Sequence, residues 1–176
     1  PLGSYANFKD ITEADLKAAK DVEKLRQSNT SAFNELTIAN KEVEYKTTGR
    51  KETARGSYVE WDKKTNTAYM VLKNKWGVNK LRCSSPHVIP IVFNSGWFEV
   101  QVAEMLSQWE KAQEVIVNAT FDYSDKDTKN EIDVIVNMGN KLLFVECKTQ
   151  IKYLTDLDKF TTAAKKYGCL LYTSDA

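Results

Sequence analysis

The stretch "EIDVIVNMGNKLLFVECKTQ", residues 131–150, constrains the fold more than any other part of the chain. Gly139-Asn140 is a two-residue hairpin signal between two apolar runs, and antiparallel pairing about it sets Asp133 across from Glu146 and Glu131 across from Lys148. The period of two then gathers Glu131, Asp133, Glu146, Lys148 and Gln150 on one face and Ile132, Val134, Val136, Leu143, Val145 and Cys147 on the other. Directly opposed like charges destabilise a strand pair by roughly 0.2–1 kcal/mol, and more when desolvated, so Asp133 and Glu146 call for compensation. A divalent cation supplies it, because Mg²⁺ takes hard oxygen ligands from one or two carboxylates and completes its shell with water and phosphate. Lys148 would stand beside such a cation, placed to orient or polarise an attacking water. These are the parts that metal-assisted phosphodiester hydrolysis needs. The plain alternative is a solvated hairpin face on which Glu131 and Lys148 form a surface ion pair worth little.

The rest of the chain frames that hairpin. "DITEADLKAAKDVEKLRQS" predicts an amphipathic helix capped at Asp10 or Thr12, with Ile11, Leu16, Ala19, Val22 and Leu25 on its apolar stripe. "AFNELTIANKEVEY" predicts a second helix, and the polar "TTGRKETARG" a mobile loop or linker. From residue 57 the pattern turns to β: "SYVEWDKKTNTAYMVLK" predicts a hairpin about "DKKTN", and "SPHVIPIVF" an extended segment in which Pro86 and Pro90 exclude a helix. Beyond it, "NSGWFEVQVAEMLSQWEKAQ" predicts a helix. Three strands follow in "EVIVNATFDYS", "NEIDVIVN" and "KLLFVECKT", and a last helix in "LTDLDKFTTAAKKYG". On the first of these helices Glu99 shares a face with Val102, Ala103 and Leu106, where a carboxylate needs a partner. The alternative for Glu99 is a first-turn acid that favours the helix dipole and points to solvent.

Composition adds limits. At 176 residues with formal net charge +1, the chain has room for one domain with a helical or β extension, and any basic surface must be local. Three cysteines, far apart and without metal-ligand spacing, suit free thiols in a reducing, cytoplasmic compartment. No apolar run reaches spanning length, so no membrane is expected. Residues 1–4, "PLGS", resemble a tag-cleavage scar. Residues 169–176, "CLLYTSDA", resemble a translated sequencing adapter, which would leave the native C-terminus missing; native strand residues with a polar end are the alternative. His87, the single histidine, has no second histidine to build a site with and is expected to be structural. Of four tryptophans, Trp76, beside Lys73, Lys75, Lys80 and Arg82, is the best placed to meet nucleic acid. The lysines of residues 152–166 are candidate phosphate contacts, or a solvated helix face. Cys147 points away from the carboxylates and suits a buried thiol.

Glu99, Asp133, Glu146 and Lys148, in the order helix, strand, next strand, resemble the PD-(D/E)xK restriction-like nuclease superfamily. More narrowly, "GWFE", "NEIDVIV" and "LLFVECKTQ" are similar to the C-terminal nuclease of CRISPR-associated ancillary effectors, in which a CARF domain senses cyclic oligoadenylate. The resemblance implies an α/β (α+β) fold with an α-β-β-β-α-β core around a mixed sheet over residues 96–168. A helical connector (residues 5–56) and a β-rich extension (residues 57–95) would precede it. It further implies Mg²⁺ or Mn²⁺ at Asp133, Glu146 and the main-chain carbonyl of Cys147. Lys148 would position the water, Glu99 would be an outer or second-metal ligand, and Gln150 a substrate or water contact. The implied substrate is DNA, RNA or both, and the implied partners are an upstream CARF domain, not visible in this chain, and a second copy in a homodimer. A stand-alone restriction or repair nuclease of the same superfamily, or a catalytically silent nucleic-acid-binding module, are the alternatives.

Overall fold

The computed structural model describes residues 6–7, 10–38, 40–93, 95–121, 130–148 and 170–175. They fall into two compact units, one of Thr12–Gln101 and one of Pro1–Ile11 with Val102–Ala176.

In the first unit, helix α1 (Glu13–Ser28) starts at Thr12, whose hydroxyl oxygen accepts the Asp15 N–H while the Asp15 carboxylate accepts the Thr12 N–H at 2.8 Å. Ala18, Ala19, Val22 and Leu25 form its buried stripe. The helix expected next is two helices, α2 (Thr30–Thr37) and α3 (Glu42–Tyr45). Ile38 is extended, and the Asn40 side-chain amide donates to the Leu36 carbonyl, meeting one of the acceptors that a helix end leaves open. The expected linker is also corrected, since it forms strand β2 (Thr48–Glu52) and a tight turn closed by the Thr53 N–H on the Ser57 carbonyl. Strands β3 (Tyr58–Asp62), β4 (Thr67–Asn74) and β5 (Gly77–Ser84) continue an antiparallel sheet in the order β2-β3-β4-β5. Its inner side carries Val59, Trp61, Ala68, Met70, Leu72 and Cys83, all buried. Helices α1, α2 and α4 (Val88–Val92) contact these strands.

Helix α4 corrects the expectation that the prolines keep residues 85–93 extended. Pro90 is the third residue of a five-residue helix capped by His87, and within the first turn a missing N–H and a fixed φ cost nothing.

Helix α5 (Gly96–Ser107) runs across the division between the units. The second unit is a five-stranded sheet of β1 (Ala6–Asn7), β6 (Glu114–Phe121), β7 (Asn130–Asn137), β8 (Leu142–Lys148) and β9 (Leu170–Asp175). The order is β1-β6-β7-β8-β9, antiparallel throughout except that β9 runs parallel to β8, so the sheet is mixed, as the fold class requires. The residues with the adapter-like sequence form β9, and the helix expected over residues 154–168 lies outside the described residues. Apolar side chains are enclosed on both sides of this sheet. Val134, Val136 and Val145 alternate with Ile135 and Phe144, and all are at most 4% exposed. The face expected to be polar is therefore polar only past Ile135 and Phe144, toward the ends where Asp133 and Glu146 stand. Near-continuous apolar runs such as "VIV" and "LLFV" are what a sheet covered on both sides demands.

Candidate active site

Gly139 takes a φ of 85°, open to glycine at no steric cost, while Asn140 does not, the pattern of a II′ turn. The Met138 N–H donates to the Lys141 carbonyl, and the Asn137 side chain accepts the Gly139 N–H at 2.9 Å. This turn sets the register Asn137–Leu142, Val136–Leu143, Ile135–Phe144 and Val134–Val145, so the expected pairing holds and Asp133 and Glu146 come one step past its last pair.

On its other side β7 pairs with β6 from Glu114–Asn137 to Val117–Val134, then again from Ala119–Ile132 to Phe121–Asn130. The step left out is Asn118 and Asp133. Asn118 has a φ of 53°, a left-handed conformation that breaks the strand's regular donor and acceptor alternation. The β6–β7 register steps over Asp133, and the β7–β8 register runs from Asn137 to Val134, one residue before it. Its carboxylate does the work of a strand instead: Oδ2 accepts the Cys147 N–H at 2.6 Å. A charge-assisted bond of this kind is about twice as strong as a neutral one and holds the carboxylate against the backbone of β8.

Two neighbours of Cys147 complete the group. Glu146 and Lys148, at alternate positions of β8, form an ion pair between Oε1 and Nζ, with the Glu146 side chain 18% exposed and Lys148 41% exposed. Lys148 thus offsets the charge that desolvation penalises on Glu146. The structure brings together Asp133, Glu146, Lys148 and the Cys147 backbone. Cys147 itself is buried, as expected of a thiol that takes no part in chemistry. Glu99 is half-buried on α5 and belongs to the other unit, so its place beside these residues rests on the sequence resemblance. The Glu131 side chain, Gln150 and the lysines of residues 152–166 lie outside the described residues.

Two half-buried carboxylates and a main-chain carbonyl form a hard-oxygen donor set, which suits Mg²⁺ or Mn²⁺ rather than a soft metal. Among the described residues no three His, Cys, Asp or Glu side chains gather.

Residues 90–161 match the family model of the Card1-like endonuclease domain. The Card1-like segment spans the end of α4, all of α5, and β6 to β8, the elements that carry the four residues of the resemblance. That family comprises PD-(D/E)xK-type nuclease domains of CRISPR-associated Card1, and residues 90–161 are similar to it. Among solved structures, protein VC1899 from Vibrio cholerae is similar at 15% identity with a TM-score of 0.46. The similarity covers 94% of this chain and 52% of that one, so the chain spans about half that protein's length. No curated protein matches.

Sequence reasoning missed Asn118. Its signal is legible in hindsight: an asparagine, tolerant of the left-handed region, inside the otherwise apolar run "EVIVNATF". His87 is structural, its backbone N–H and ring Nδ1 both meeting Asp15, at 3.0 and 3.1 Å. Trp61 and Trp97 are core anchors, packed edge-on to Phe93 and beneath Arg26 respectively.

Proposed function

We propose that the Card1-like segment hydrolyses phosphodiester bonds of DNA or RNA, with Mg²⁺ or Mn²⁺ held by Asp133, Glu146 and the Cys147 carbonyl. The observation that carries the proposal is the bond from the Cys147 N–H to the Asp133 carboxylate, which ties that carboxylate to the residue between Glu146 and Lys148. When bound, the cation supplies Lewis-acid stabilisation of the charge that develops on the phosphate. Asp133 and Glu146 would hold the cation through the oxygens they present, and so set where the phosphate is bound. Lys148, which the structure pairs with Glu146, would donate a hydrogen bond to the incoming water and align it opposite the departing oxygen. Water forms the new P–O bond, the ester P–O bond breaks, and the water's proton passes to solvent or to the leaving oxygen. Glu99 serves as an outer or second-metal ligand and Gln150 as a water or substrate contact.

In the whole protein, this reading makes the chain part of a cytoplasmic effector that a cyclic oligoadenylate switches on through an upstream CARF domain, acting as a homodimer. Among the described residues no helix is long and apolar enough to cross a membrane.

The test is cleavage of plasmid and labelled single-stranded DNA and RNA by the full chain with Mn²⁺, with EDTA and with no addition. Mn²⁺-dependent cleavage that EDTA abolishes, and that Glu146→Ala and Lys148→Ala each lower by at least about 10²-fold, is expected. Equal cleavage by the wild type and both variants would defeat the mechanism.

A further inference from the structure

The Card1-like match leaves the β2–β5 sheet almost wholly unaccounted for, and that sheet has an unusual outer side. The β4–β5 hairpin, Thr67 to Ser84, contains Lys73, Lys75, Lys80 and Arg82 and no acidic residue, in a chain whose overall charge is nearly balanced. All four cations are exposed. The register pairs Tyr69 with Arg82, Val71 with Lys80 and Lys73 with Val78, so these residues share the side opposite to Met70 and Leu72, which are buried in the core. The Arg82 guanidinium lies over the Tyr69 ring at 5.2 Å, and the Lys75 ammonium over the Trp76 ring at 4.6 Å.

Trp76, at the hairpin tip, is 83% exposed. The tip is not slack, because the Asn74 side chain accepts the N–H groups of Trp76 and Gly77 at 2.8 and 2.9 Å. An ordered turn therefore holds a large apolar ring in water, beside a cation, where burying it would otherwise be favourable. On the neighbouring strands Arg50 is ion-paired with Glu52 and Glu60, whereas the β4–β5 hairpin carries four cations and no acid of its own.

We infer that the outer side of the β4–β5 hairpin docks single-stranded nucleic acid, with Trp76 stacking on a base and Lys73, Lys75, Lys80 and Arg82 meeting phosphates. Exposed rings interleaved with cations are what single strands recognise, since only unpaired bases offer a free face to stack upon. The choice of nucleic acid over another polyanion rests on the endonuclease reading of residues 90–161. The surface itself lies almost entirely before that segment and needs no metal.

Fluorescence anisotropy of labelled single-stranded DNA and RNA with the full chain in EDTA tests this apart from cleavage. Lys80→Gln with Arg82→Gln is expected to weaken binding by at least about tenfold at low salt and to flatten the salt dependence by about one unit of slope per cation removed. Trp76→Ala is expected to weaken it roughly five- to tenfold with the slope unchanged, the mark of stacking rather than charge. Lys17→Gln, an exposed cation on α1, should leave binding unaltered. Unchanged binding in the hairpin variants, equal weakening by Lys17→Gln, or binding to anionic lipid vesicles in place of the oligonucleotides would each overturn the inference. Hairpin-dependent binding without any Mn²⁺-dependent cleavage would uphold the docking surface and defeat the catalytic reading. Glu146-dependent cleavage with hairpin-independent binding would do the reverse.

Discussion

Asn118 and Asp15 show how single residues set the geometry. Holding a non-glycine residue in the left-handed region costs about 1–2 kcal/mol, least for asparagine and most for a β-branched side chain. Asn118→Gly should therefore keep both stability and cleavage. Asn118→Val should lower the unfolding free energy by about 1–2 kcal/mol and reduce kcat as Asp133 is drawn back into the β6–β7 ladder; denaturant titration and Mn²⁺-dependent cleavage read the two effects. Asp15 is fully enclosed. Burial alone would raise its carboxyl, but hydrogen bonds from His87 and Thr12 outweigh that and hold it at about 2, below its ordinary 3.8. A depressed pKa contributes stability that is present above about pH 4 and lost as pH falls through about 2, here about 2 kcal/mol. Unfolding free energies from urea titration at pH 5 and pH 2.5 should show the wild type losing about 1.5 kcal/mol more than Asp15→Asn. A parallel loss in the two proteins would contradict the role given to this carboxylate.

At the scale of elements, what was legible in the sequence was whatever carried a period. Helix α1 with its cap, the β3–β4 hairpin, helix α5 and the three strands β6 to β8 follow from spacing and turn residues, and the register of β7 on β8 follows from Gly139-Asn140. What was not legible depended on partners distant in sequence. Strand β2 reads as a linker because its alternation hides behind charge: its inward positions are Gly49, where an added Cβ would lie 2.2 Å from the Trp61 ring, and Lys51. A strand whose inner face is a glycine and a lysine has no apolar signature. Gly49→Ala should cost about 1–3 kcal/mol by overpacking, measured by chemical denaturation, whereas Thr48→Ala, exposed on the same strand, should cost under about 0.5 kcal/mol. Helix α4 was hidden by Pro90, which forbids a helix interior but not a first turn. Within the candidate site, Asp133 opposite Glu146 with Lys148 alongside could be read from alternation. The interruption at Asn118 and the bond from Cys147 to Asp133 could not, because they arise where alternation stops.

Across the whole molecule, the chain joins a unit whose sheet presents a carboxylate pair and a lysine to one whose sheet presents rings and cations. Cleavage and binding should accordingly separate by condition. EDTA should silence the first and spare the second, whereas raising salt should weaken the second at any metal concentration, by amounts that titration of each activity would measure. Asp133 and Glu146 are proposed to hold a divalent cation between them, and anomalous diffraction from crystals of the full chain soaked in millimolar Mn²⁺ tests that site. A peak is expected within coordinating distance of both carboxylates and of the Cys147 carbonyl, lost in Asp133→Asn. Ordered side chains at Asp133 and Glu146 with no peak between them would contradict it.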